Sequence, residues 1–397
     1  MASPGGMDRH GQRLVFANQL RGLAAFAVVL SHLIGVFWAG RDLVAAATSS
    51  PAQPGDVPGL FWVVVHPWFN LGPFGVAVFF LISGLVIPIS LGTHSRRSFL
   101  VARAFRIYPT YLAAFAVSLG VVWAGSRYWG LPFNYSPRLV LANALLIQDF
   151  LAWPSIDLVS WTLCIELRFY VLMAVLAPAI RKGSVAALFA VGGVALAFNL
   201  AGSASLFAPT AKARHGLVGV MSRESFYVVF MLIGVLFNYR LRGLLRLPAF
   251  VASVAGLFMI FVACWRSSAV AGEFPVVTVN YAYALALFGA LFLLRRRVRA
   301  TWPLDALAAV SFPLYLVHCL VGYSLLKVLM LAGGLGYLAA LAITVPAVLA
   351  LAATLHVVVE RRSIEMGKRL ATWRPLRVGA PSGLGGAAQA QASRVRS

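Results

Sequence analysis

The stretch NQLRGLAAFAVVLSHLIGVFW, residues 18–38, is apolar after a short polar start except for Ser31 and two ionisable residues, Arg21 and His32. About 20 apolar residues cross the hydrocarbon core of a bilayer as a helix, so the run reads as a membrane span. A charged group inside such a span is costly and is read by default as functional. Most of the chain repeats this pattern. Of its 397 residues 61% are apolar and 11% charged, against roughly 25% charged in soluble globular domains. The expected fold class is therefore all-α, a polytopic integral membrane protein.

Ten spans are expected, at about 14–38, 70–91, 107–125, 158–180, 184–201, 224–239, 247–265, 278–294, 304–326 and 335–358. Residues 1–13 then form an N-terminal segment, 14–362 the membrane domain and 363–397 a tail, disordered toward its Gly- and Ala-rich end. PRLVLANALLIQDF, residues 137–150, is apolar but short, and reads as a re-entrant or interfacial helix.

An even number of spans puts both termini on one side, and the charge distribution makes that side cytoplasmic. The opposite side carries Arg41, Arg127, Arg138, Lys212, Arg214, Arg223, Arg266 and Lys327, and the spans carry Arg21 and Arg168; the other 23 of 33 basic residues lie with the termini. This asymmetry follows the positive-inside rule. The net charge of +22 is thus a topology signal, with attraction to anionic lipid headgroups as a by-product. It does not point to nucleic acid, because no basic cluster lies on a sizeable soluble domain.

The first run is too long for a signal-peptide core and reads as retained. Alanine abundance and the scarcity of lysine suit a high-GC bacterial genome, and hence a bacterial cell membrane. Cys164, Cys264 and Cys319 fall in spans with no Cys-x-x-Cys pair or metal-ligand spacing, so neither a disulfide framework nor a metal site is expected.

Several residue types in the spans carry chemistry. Arg21 and His32 are eleven positions apart, close to three helical turns, so both lie near one face about 16 Å apart along the axis. Arg21 then suits an anion near the cytoplasm and His32 a reacting group deeper in, although a lone membrane histidine also serves as a packing hydrogen bonder. FGVAVFFLISGLVIP places Ser83 and Gly84 at mid-depth, where small residues let helices approach closely; Ser83 is alternatively a polar group for a reaction.

After it, Arg103 and Arg106 are three apart and share a helix face. Two guanidinium groups there suit a phosphorylated ligand, or ordinary cytoplasmic charge. SWTLCIELRFY, residues 160–170, carries Glu166 and Arg168 within a span. Counting from residue 158 puts Glu166 at nearly the depth of His32, within reach to orient an imidazole; an internal ion pair with Arg168 or Arg21 is the alternative, Arg168 being a poor partner because residues two apart on a helix point away from each other. SFPLYLVHCLVGY brings Tyr315 and His318, three apart on one face, to a similar depth.

Together these motifs resemble those of the membrane-bound acyltransferase family 3, over spans 1 to 10. The Arg, ten residues, His signature corresponds to Arg21 and His32. The Phe-x-x-Ser-Gly element corresponds to Phe80–Gly84, and Arg-x-x-Arg-x-x-Pro to Arg103, Arg106 and Pro109. SWSLSVEEQFY corresponds to SWTLCIELRFY and YLxH to Tyr315–His318. The chain departs from the pattern at Leu167, where a second carboxylate is usual, at Arg168, where Gln is usual, and at Arg362, where the closing VERP has proline.

The resemblance implies an O-acyltransferase with acyl-CoA as donor substrate, no bound cofactor, and a hydroxylated acceptor. His32 would be the catalytic histidine, Glu166 its support, and Arg103 and Arg106 the groups engaging acyl-CoA. Ser83, Tyr315 and His318 would be unranked donors to the oxyanion. The variant motif is most similar to the branch that acylates macrolide antibiotics; an envelope sugar is the other acceptor. A proton-coupled transporter, in which His, Glu and Arg form a relay, is the rival from a different class.

Overall fold

The computed structural model describes residues 14–203, 216–268 and 276–372, and nearly all of its regular structure is helical. Residues 1–13 and the tail from 373 lie outside the described residues. The first helices are α1 (Val15–Ala39) and the short α2 (Arg41–Thr48). The single sheet among the described residues follows, an antiparallel ribbon of β1 (Val65–His66) and β2 (Phe69–Asn70).

Next come α3 (Leu71–Thr93), α4 (Arg96–Trp129), α5 (Pro137–Ala144) and α6 (Trp161–Val175). They are followed by α7 (Val185–Ser203), α8 (Gly216–Leu241), α9 (Leu247–Arg266) and α10 (Val277–Leu293). The last are α11 (Trp302–Val317), α12 (Leu320–Lys327), α13 (Tyr337–Leu355) and α14 (Arg361–Thr372).

Every expected span falls on helix, but fewer than ten are long and apolar enough to cross a membrane alone. Six qualify: Val15–Ala39, Leu71–Gly92, Arg96–Trp129, Arg223–Leu241, Leu247–Arg266 and Tyr337–Ala371; α11 with α12 makes a seventh, bent by 71° at its break. The others fall short for physical reasons. α6 has 15 residues and includes two charges, while Val185–Ala201 and Val277–Leu293 each rise about 26 Å at 1.5 Å per residue, less than a core about 30 Å thick. The interfacial reading of 137–150 matches an eight-residue helix, α5, that ends in turns.

The core is built around α1, which packs along α3 on one flank and α11 on the other. Polar side chains fix its lower end against the start of α11. Asn18 Nδ2 and Gln19 Nε2 both donate to Asp305 Oδ1, at 2.7 and 2.6 Å, and Gln19 Oε1 accepts from Thr301 Oγ1 at 2.7 Å. One turn on, α1 comes so close to α11 that a Cβ at Gly22 would stand 2.4 Å from the Leu304 carbonyl oxygen. Arg21 is thereby held in register with α11.

Gly84 plays the same part between α3 and α8, where its Cα is the neighbour of Gly234 and a Cβ on it would stand 2.0 Å from the Met231 carbonyl oxygen. The small-residue reading of this motif therefore holds for Gly84, and the crossing leaves Ser83 on a cavity wall. On the far side, α14 docks on the first turns of α4, with Ser98 Oγ donating to the Ala371 carbonyl at 2.7 Å. Helix thus continues through residue 372, past the expected domain boundary at 362.

Gly84→Val should lower stability by at least about 1–3 kcal/mol, since neither facing backbone has room to move. Gly193→Ala, which meets nothing within 4 Å, is the matched control. Thermal unfolding followed by size-exclusion in detergent checks the pair; equal midpoints would refute the crossing.

Candidate active site

A cavity opens between α1, α3, α4, α6 and α11. Its wall holds six of the eight residues singled out from sequence: Arg21, Ser83, Arg103, Arg106, Glu166 and Tyr315. These come from five helices, so the bundle has assembled them from distant parts of the chain.

The electrostatics of this wall are unbalanced. Three guanidinium groups face one carboxylate, and among the described residues none of the three makes an ion pair at contact distance. Arg103 is buried at 8% exposure and stacks over the rings of Phe99 and Tyr170 at 5.4 and 5.3 Å. Cation–π contact of this kind offsets part of the desolvation of a guanidinium without neutralising it. Arg21 feels attraction from Glu166 and from Glu360, and repulsion from Arg106. Glu360 is itself held by His356 Nδ1 at 2.7 Å. Such a pocket is suited to a multiply charged anion, which supplies the acceptors that the arginines lack.

Glu166 accepts a hydrogen bond from Tyr170 Oη, one turn along α6, at 2.5 Å. Tyr315 Oη is within 2.8 Å of Thr162 Oγ1. That contact joins α6 to α11 at the cavity wall.

His32 and His318 lie outside the cavity wall and meet each other. Their ring centroids are 4.9 Å apart, and His32 Nδ1 is 3.2 Å from His318 Nε2. His32 stands in a π-helical turn of α1, Ser31–Val36, and His318 at the break between α11 and α12. Single π-helical turns inside α-helices recur at functional sites.

Backbone carbonyls settle the tautomers of both rings. A carbonyl oxygen only accepts, so His32 Nδ1, 3.0 Å from Val28 O, carries a proton. His318 Nδ1, 3.1 Å from Leu314 O, carries one as well. His318 Nε2 is then a lone pair that accepts from His32 Nδ1–H and, at 3.4 Å, from the Cys319 thiol. The consequence is that His32 Nε2 is unprotonated and the ring is oriented from behind, as in a hydrolase triad with an imidazole in place of the carboxylate. His318 is fully buried, whereas His32 keeps part of its surface accessible.

The family model described as "Acyltransferase domain" matches residues 14–357, a range that includes every residue of the cavity and of the histidine pair. The chain belongs to acyltransferase family 3. No characterised protein and no solved structure matches it. The membrane acyltransferase thus combines a cationic cavity with an oriented imidazole pair, and Tyr315 connects them, its ring centroid 5.8 Å from that of His318.

One expected contact is not made. Glu166 does not hydrogen-bond to His32 among the described residues; its partner is Tyr170, and it acts electrostatically on Arg21 instead. The backbone ahead of α6 bears on how this helix is placed. The segment before it folds inward, burying Asn143, Gln148, Asp149, Asp157 and Ser160. The Asp157 carboxylate accepts from the backbone N–H groups of Val159 and Ser160, so α6 begins well inside the acyltransferase. Three non-glycine residues in this segment, Leu146, Ala152 and Leu158, adopt positive φ of 56°, 53° and 63°. A backbone held in that region is over-determined by its surroundings.

Arg168, on another face of α6, was expected to have no partner in Glu166, and it has none. Its two terminal nitrogens donate to Asp149 in the inward-folded segment and to Glu224 on α8, and its guanidinium lies over Phe150 at 5.5 Å. It therefore braces the segment against α8. Sequence reasoning missed Cys319 and Tyr170; their adjacency to His318 and spacing to Glu166 were the available signals.

Arg168→Gln leaves Asp149 and Glu224 facing each other, and should cost about 3–5 kcal/mol, as removal of one member of a buried ion pair does. Adding Glu224→Gln should recover part of the loss. Thermal unfolding of the two variants measures this; additive losses would show that the three groups are not coupled.

Proposed function

We propose that this acyltransferase is an O-acyltransferase that moves an acyl group from acyl-CoA to a hydroxyl of a small-molecule or glycan acceptor, with a macrolide or similar secondary metabolite favoured. The observation that carries the reading is the cavity in which Arg21, Arg103 and Arg106 face Glu166 alone. Acyl-CoA is a polyphosphorylated thioester, and its phosphates would supply the charge these arginines need.

From the arginine end, the pantetheine arm would extend along α1, since Arg21 and His32 are separated by about 16 Å of helix. It would pass Tyr315, which lines the cavity and has its ring beside His318. His32 Nε2, left unprotonated by the bond from Nδ1–H to Val28, is the general base in this scheme. It takes the acceptor's hydroxyl proton as the oxygen attacks the thioester carbonyl, the C–S bond breaks, and the proton passes to the CoA thiolate. His318 acts through His32 as a positioning residue. Ser83 and Tyr315, both on the wall, are the remaining donors for the oxyanion; Glu166 serves the cation cluster more directly than the imidazole.

The acceptor enters the reading from the sequence motif alone, so its test is chemical. Mass spectrometry of extracts from a strain lacking the gene should reveal loss of one acylated hydroxyl compound; accumulation of a deacylated envelope sugar would move the assignment to that acceptor. A protein that releases no CoA thiol from acyl-CoA with any acceptor would instead fit a transporter.

His32→Ala in folded protein should reduce acyl transfer by at least about 10²-fold, the typical contribution of a positioned general base. Near wild-type turnover would overturn the mechanism. Arg103→Ala with Arg106→Ala should raise KM for acyl-CoA more than KM for the acceptor; an equal rise in both would argue against the phosphate role.

A further inference from the structure

One ring nitrogen from each of His32 and His318 and the sulfur of Cys319 lie within 4.8 Å of one another. Two of the separations are shorter, 3.2 Å between the nitrogens and 3.4 Å from His318 Nε2 to sulfur. Around an ion with metal–nitrogen bonds of about 2.0 Å and metal–sulfur bonds of about 2.3 Å, neighbouring ligand atoms stand roughly 3.3–3.7 Å apart. Two of the three separations are thus close to ligand spacing already.

The supporting contacts point the same way. His318 Nδ1–H is anchored on Leu314 O, the arrangement by which proteins orient a ligating imidazole from behind. Neither His318 nor Cys319 exposes any surface, and His32 is partly accessible, so a cation has one side from which to arrive.

We propose that these three residues form a binding site for a soft monovalent cation, Cu(I). A thiolate ligand selects for soft ions, and charge decides between the candidates. Among the described residues no carboxylate hydrogen-bonds to any of the three side chains. One thiolate neutralises Cu(I) completely, whereas Zn²⁺ would leave a net positive charge in a low-dielectric interior, where unpaired charge is costly.

Binding replaces one proton. Cu(I) takes the place of the Cys319 thiol hydrogen, which leaves to solvent, and no electron is transferred. At His32 the metal needs the Nδ1 lone pair, so the ring proton moves from Nδ1 to Nε2 and the bond to Val28 O is given up. The atom that serves as general base in the proposed function is then protonated. Occupation of the site therefore shuts off acyl transfer; this last step rests on that function, and the site itself does not.

The test is anaerobic titration of purified protein with Cu(I) against a colorimetric Cu(I) chelator. One Cu(I) per chain is expected, with one sulfur and two nitrogen scatterers in X-ray absorption. Cys319→Ser should weaken binding at least about 100-fold, since a soft ion loses its only soft ligand. Cys164→Ser with Cys264→Ser should leave binding unchanged. No binding to the wild type, a copper environment without sulfur, or tighter binding of Zn²⁺ than of Cu(I) would each overturn the proposal, whether or not the serine variant folds. Loading should also abolish CoA release, with recovery on chelation. Full loading with undiminished transfer would refute the role of His32 Nε2 and leave the metal site standing.

Discussion

Holding four guanidinium groups inside a helical membrane protein is the constraint around which the acyltransferase is arranged. Each such charge is expensive in a low-dielectric interior unless it is paired. The structure has two ways of meeting that cost, and they lie on different faces of α6. Arg168 is neutralised outright by Asp149 and Glu224 and becomes a brace. Arg21, Arg103 and Arg106 are left mostly uncompensated, stacked on aromatic rings or set near a carboxylate, and open to a cavity. The difference separates a cation whose charge is already offset by two carboxylates from three whose charge is not.

The helices are placed to serve that cavity. α1 carries Arg21 and His32, and its register is fixed by the Asp305 hydrogen bonds and by the close approach at Gly22. α3 is fixed by its contact with α8 at Gly84, which turns Ser83 to the wall. Because lipid offers no hydrophobic drive for helices to associate, backbone proximity at small residues and polar locks carry a large share of the specificity. Both kinds of contact lie within a turn of a cavity residue.

How much of this was legible in the sequence depended on whether a feature is local. The all-helical membrane class followed from composition, and six of the eight singled-out residues share one cavity because helix periodicity gives the face of a residue reliably. Depth was read less well. It required knowing where a helix starts relative to the membrane, and the inward fold of residues 145–160, set by buried Asp157 and Asn143, has no periodic signature. Glu166 was therefore assigned to His32 when it belongs with Arg21 and Tyr170. The partner that His32 does have is 286 residues away, and only the π-helical turn in α1 and the break after α11 bring the two rings together.

Backbone carbonyls also decide which ring nitrogen of His32 carries the proton. In a regular helix a histidine often bonds back to the carbonyl four residues earlier, and both His32 and His318 do so through Nδ1. The backbone thus sets each ring in the same tautomer without help from any acid. A carboxylate at this position would stabilise an imidazolium more strongly but would add a charge that must itself be buried. A neutral histidine orients the base at lower cost in desolvation, and Glu166 is left to the arginines. The absence of a second carboxylate at Leu167 is consistent with that division, because among the described residues His32 is held from its own helix and from His318 and makes no hydrogen bond to α6.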